Sequence, residues 1–88
     1  MTGSLAALVD GVPEGWTEVE YDGRRYGLTR VIRAGGRSSS IFAEQLGGTD
    51  VVSANVYRTS TGDVLKPCEM PAHKVLAFLG QSRPVRSR

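Results

Sequence analysis

The run Trp16-Thr17-Glu18-Val19-Glu20-Tyr21-Asp22-Gly23-Arg24-Arg25-Tyr26-Gly27-Leu28 decides the fold. Strict alternation sets Thr17, Val19 and Tyr21 on one face of an extended segment, with Glu18 and Glu20 on the other. Asp22-Gly23 then supplies the two central residues of a tight hairpin turn, a geometry that needs positive φ at both positions. The chain returns from Arg24 to Arg33, with Tyr26, Leu28 and Ile32 on one face and Arg25, Thr29, Val31 and Arg33 on the other. The first commitment is therefore an antiparallel hairpin.

Downstream the same period continues. Ala34-Gly35-Gly36-Arg37 reads as a second turn, and Ser39 to Leu46, centred on Ile41 and Phe42, as a third strand. Gly47-Gly48-Thr49-Asp50 breaks it. Val51 to Arg58 is a fourth strand, in which Val52, Ala54 and Val56 alternate with Ser53, Asn55 and Tyr57. A polar turn over Thr59 to Asp63 leads into a short fifth strand, Val64 to Lys66, ended by Pro67, which has no N–H to donate to a ladder.

At Pro71 the period changes from two to 3.6. Ala72, Val75, Leu76 and Leu79 fall at the spacing of one helix face with Phe78 beside them, Pro71 suits the first turn, and Gly80 suits the position just past the end. His73 and Lys74 fall on the solvent side. A helix of about nine residues is unstable alone and has to dock on the sheet. The expected fold class is α+β, an antiparallel meander of four to five strands with one C-terminal helix packed on one face. Residues 1–13 read as a flexible lead-in with room for one helical turn, 14–81 as the single domain and 82–88 as a disordered basic tail.

Eighty-eight residues suffice for one core, and a chain of this size buries only about 60–65% of its unfolded surface. Short chains offset a thin core with disulfides, metals or self-association. Cys68 is the only cysteine and His73 the only histidine, so neither a disulfide nor a zinc finger is expected, while self-association stays open. No metal and no cofactor is expected. Leu5 to Val9 is too short for a signal-peptide core, no stretch reaches the length of a membrane span, and a lone cysteine suits a reducing compartment; the expected location is the cytoplasm, with no membrane partner.

The net charge of +2 averages over a strong segregation. Arg83, Arg86 and Arg88 crowd the last six residues, and without them the remaining eight basic residues face nine acids. Residues 23–43 hold Arg24, Arg25, Arg30, Arg33 and Arg37 and no acid, whereas residues 14–22 hold four acids and no base.

Three features invite a chemical reading. Cys68 stands near Lys66 and ahead of a helix, a setting that can lower a thiol pKa, but no second cysteine accompanies it; a small buried hydrophobe is the expected role. His73, four residues after Glu69, reads as solvated surface. The pairs Gly35-Gly36 and Gly47-Gly48 lack the Lys-Ser/Thr of a phosphate loop and are explained by turns. The arginine-rich hairpin, residues 24–37, is the remaining signal. Arg25, Arg30, Arg33, Arg37 and Lys66 are candidate polyanion contacts, with Tyr57, Trp16 and Phe42 as stacking platforms. The competing reading is a solvated face whose charges are met by Glu18 and Glu20 on the neighbouring strand.

Two resemblances bear on this. The meander followed by Tyr57, Gly62, Leu65, Lys66, Pro67 and a helix from Pro71 resembles, over about a third of the chain, the single-stranded-DNA-binding domain of the transcriptional coactivator positive cofactor four. That resemblance implies nucleic acid on the helix-free sheet face, with Arg25, Arg30, Arg33 and Lys66 as backbone contacts, and a dimer formed through the helix. The whole stretch from Gly15-Trp16 to Phe78-Leu79, with Leu46-Gly47-Gly48-Thr49-Asp50 and Lys66-Pro67-Cys68-Glu69-Met70-Pro71, is similar to short actinobacterial proteins of unknown role, some labelled peptide methionine sulfoxide reductase. Pro67-Cys68-Glu69 matches neither the Gly-Cys-Phe-Trp nor the Arg-x-Cys-x-Asn surroundings of such reductases, so no enzyme activity is expected. The expectation is a noncatalytic binding module for single-stranded nucleic acid on an arginine-rich sheet face. The alternative is a protein-interaction or homodimerisation domain with no nucleic-acid role, and the third is a Cys68-dependent redox protein.

Overall fold

Asp22 and Gly23 take φ of 55° and 75°, and the turn they make pairs Tyr21 with Arg24 and Gly15 with Arg30. This hairpin is the centre of the computed structural model, which describes residues 5–85. The elements in chain order are α1 (Leu5–Asp10), β1 (Gly15–Tyr21), β2 (Arg24–Arg33), a 3-10 turn (Ala34–Gly36), β3 (Ser38–Gln45), β4 (Val51–Thr59), β5 (Gly62–Pro67), α2 (Ala72–Gln81) and β6 (Arg83–Pro84). All pairings are antiparallel, and the sheet order is β5-β4-β3-β2-β1-β6. The meander is thus a six-stranded sheet, with more strands than the sequence pattern indicates.

Both helices lie over one face. Val19, Tyr26, Leu28, Ile41, Ala43, Val52, Ala54 and Val56 point into it and form one core with Val9, Val12, Val75, Phe78 and Leu79. Tyr21, Tyr26 and Phe78 meet edge to face, with ring centroids 5.1–6.0 Å apart. Burying a Phe and a Tyr side chain is worth about 2–3 kcal/mol each, so this cluster anchors α2.

Four local expectations need correction. The lead-in contains α1, because Val9 and Val12 are buried where α2 leaves part of the sheet uncovered. The segment beginning at 82 contains β6, which pairs with Val19 and Glu20 on the β1 edge, and Val85 N–H donates to Glu18 O. Two residues carry no strand signal; an edge with unsatisfied backbone groups recruits them. The end of the basic tail, including Arg86 and Arg88, lies outside the described residues. In α2 the buried stripe is Val75, Phe78 and Leu79, leaving Leu76 40% exposed; Pro71 is the extended residue before the helix and Gly80 lies inside it. Lastly, Cys68 is exposed, since it follows β5 two residues after Lys66 and its N–H donates to Ser53 O at the sheet edge.

Candidate interaction surface

Among the described residues no helix covers the second face of the sheet, and its side chains form cross-strand rows that follow from the register. One row runs Arg33, Ser38, Tyr57, Val64 from β2 to β5; the next runs Val31, Ser40, Asn55, Lys66. A third runs Trp16, Thr29, Phe42, Ser53 from β1 to β4, and a fourth Glu18, Gly27, Glu44, Val51. Glu20 and Arg25 close the far end. Strand alternation makes this face, since these residues alternate with those that point toward the helices.

Trp16 gives the surface its most distinctive feature. It is 62% exposed, and a Cβ added at Gly27 would stand 2.7 Å from its Nε1, so the indole lies on the sheet in the space that glycine leaves open. Phe42 and Tyr57 are also exposed. Of the nine large apolar side chains left exposed among the described residues, six are here: Trp16, Val31, Phe42, Val51, Tyr57 and Val64.

Charge is sorted along the strands. Arg33 donates to Ser40 Oγ at 3.2 Å, and Ser40 in turn to Asn55 Oδ1 at 3.0 Å. Arg33 and Lys66 have no ion pair among the described residues, and both lie toward the end of the face away from the acids. Glu44 and Glu20 likewise have no ion pair there and lie at the other end. Arg25 is neutralised by Glu18 at 2.9 Å.

The six residues singled out for a nucleic acid are therefore divided. Arg25, Arg33, Tyr57 and Lys66 share the open face. Arg37 sits in the turn before β3, its Nε donating to Ala34 O at 3.3 Å. Arg30 is on the opposite, helix-covered face and is 9% exposed. Its Nη1 donates to Val12 O at 2.7 Å and its Nη2 lies 3.5 Å from Asp10 Oδ1, an oxygen that Arg58 Nη2 also reaches at 2.8 Å. Even-numbered positions of β2 face the core, so Arg30 clamps the end of α1 and cannot contact a ligand on the open face.

The covered face holds one polar chain that local pattern reading misses. Tyr26, 1% exposed, donates from its hydroxyl to Asp50 Oδ2 at 2.7 Å, and Lys74 Nζ reaches Asp50 Oδ1 at 2.7 Å. The Lys74 ammonium and then the Tyr26 hydroxyl hold Asp50 below its ordinary value. Burial first, and Asp50 second, push Tyr26 up to about 12. Lys74 is thus tied to the turn between β3 and β4 and is not a free surface cation. The chain joins residues 24 apart, beyond the reach of any local pattern.

A cleft of about 190 Å³ opens between α1, α2 and β1, lined chiefly by Leu8, Val12, Val19, Leu28, Leu79 and Pro84. Among the described residues no titratable side chain lines it. Among the described residues no group of three or more His, Cys, Asp or Glu is placed to hold a metal, and no helix is long and apolar enough to cross a membrane. No protein-family model, no curated protein and no solved structure matches the chain. The open face itself is left to carry the functional argument.

Proposed function

We propose that this chain is a noncatalytic protein-interaction domain whose contact surface is the open sheet face. The observation that carries the reading is the gathering of six exposed apolar side chains, three of them aromatic, on the face that no helix covers among the described residues. Exposed apolar side chains are ordinary when scattered; gathered on one face with charges around them, they mark an interface. The charges there sum to zero, Arg25, Arg33 and Lys66 against Glu18, Glu20 and Glu44, so the face as a whole carries no net positive charge to draw a polyanion. A photo-crosslinking residue in place of Phe42 tests this in the cells that make the protein. An adduct from position 42, and none from the exposed helix position Leu76, is expected. Absence of any protein adduct at 42 overturns the reading.

Single-stranded nucleic acid is the second reading, and the placement of Arg33, Tyr57 and Lys66 at the acid-free end favours it. Anisotropy of a labelled oligonucleotide at low and moderate salt tests it. Binding that weakens with salt and in Arg33→Ala and Lys66→Ala supports it, whereas no binding at low salt excludes it.

A further inference from the structure

We infer that the partner on the open face is a second copy of this chain, packed face to face about a two-fold axis that runs across the strands. This rests on the protein-interaction reading above and adds the identity and arrangement of the partner. A two-fold interface must be complementary to itself, so a surface built for it carries both signs at positions that the axis exchanges. The open face does: Arg33 stands in its first row and Glu44 in its fourth, and neither has an ion pair among the described residues. A heterologous partner requires no such balance.

Register then fixes the arrangement. An axis lying between the row of Val31, Ser40, Asn55 and Lys66 and the row of Trp16, Thr29, Phe42 and Ser53 exchanges the first and fourth rows. Arg33 of one copy then falls over Gly27 of the other, the one glycine in these four rows. The floor there is the Trp16 indole, and Glu18 and Glu44 flank it in the same row. A guanidinium stacked on an indole between two carboxylates gains a cation–π contact and charge-assisted hydrogen bonds together. The same operation sets Tyr57 over Val51 and Ser40 over Phe42, a large side chain against a smaller one each time. Face-to-face sheets pack about 10 Å apart with strands crossing at about 30°, which the twist of each sheet accommodates.

Size agrees. Five strands at about 4.8 Å and eight residues at about 3.4 Å give a face of roughly 650 Å² in plan. Side-chain relief raises that toward the roughly 800 Å² per partner of a standard stable interface.

Sedimentation equilibrium on the full chain, with circular dichroism to show that each variant is folded, tests the arrangement by charge exchange. The unmodified chain is expected to be a dimer. Arg33→Glu and Glu44→Arg each place like charges at two symmetry-related pairs and are expected to weaken the dimer by about 100-fold, taking about tenfold per pair. Mixing the two single variants is expected to restore association as a one-to-one heterodimer, and the double variant to restore the homodimer. A chain that stays monomeric up to millimolar concentration, or single variants that dimerise undiminished, or a mixture no tighter than its components, overturns the inference. The adduct from position 42 separates this from failure of the parent reading. A mass of two copies supports both, a different protein overturns only the second copy, and no protein adduct overturns both.

Discussion

The two faces of this sheet are built from alternate residues of the same five strands, yet they follow different rules. Toward the helices, Tyr26, Leu28 and Ile41 are sealed in a core; Arg30 bonds Val12 through Nη1 and Tyr26 bonds Asp50, while Arg30 Nε is buried without a hydrogen-bond partner among the described residues. Away from the helices, Trp16, Phe42 and Tyr57 stay exposed among charges sorted by sign. Arg25 and Arg30 sharpen the contrast, since they stand on one strand five residues apart. The inward one clamps a helix, and the outward one makes a surface ion pair. Residue type alone does not define a binding site; the face it is dealt to does.

Truncating an aromatic on each face is the largest test of this contrast. Phe78→Ala empties the centre of the aromatic cluster and should cost about 3–5 kcal/mol in urea unfolding. Phe42→Ala, measured at concentrations where the chain is monomeric, should change stability by less than about 0.5 kcal/mol while abolishing self-association. An equal loss from both would break the comparison. The arginine pair comes next. Arg30→Ala removes a buried charged hydrogen bond and should cost about 2 kcal/mol. Arg25→Ala should cost at most about 0.5 kcal/mol, because its ion pair with Glu18 is exposed.

pH probes the inward chain of Tyr26, Asp50 and Lys74. Asp50 is held below its ordinary value, so its contribution is complete above the ordinary carboxylate range and is lost as pH falls through the folded value. Tyr26 is raised to about 12, so its contribution is complete below pH 10 and declines as pH rises from 10 toward 12. Urea midpoints against pH should lose part of the acid limb in Asp50→Asn and part of the alkaline limb in Tyr26→Phe. A local effect is expected from Gly27→Ala, where the new Cβ must push the indole of Trp16 aside. Trp16 is the only tryptophan, so its fluorescence reports that shift directly, with a stability change below about 1 kcal/mol.

Much of the sheet was legible locally. The bounds of β2 match the sequence reading, and the inward and outward sets of β2 and β4 follow from alternation, because a strand's side-chain period is two whatever it packs against. The candidate site was legible in part. Arg25, Arg33, Tyr57 and Lys66 do share a face, but Arg30 does not, and the alternation that put Ile32 inward already implied this. The stacking of Trp16 on Gly27 was hidden, since it joins residues diagonal to one another on adjacent strands.

What the sequence determined by itself is therefore the antiparallel meander, the helix after Pro71 and the existence of two chemically distinct strand faces. Those features rest on dihedral preferences and side-chain periods that act over a few residues. What only the tertiary structure decided is the capture of α1 and β6, the joining of Tyr26, Asp50 and Lys74, and the sorting of charge along the open face. Each depends on which distant segments lie side by side, and that is settled by burial and strand register rather than by any local preference. The arginines of the hairpin show the division most plainly: a local pattern brought them together in sequence, and the fold assigned them to opposite sides of one sheet.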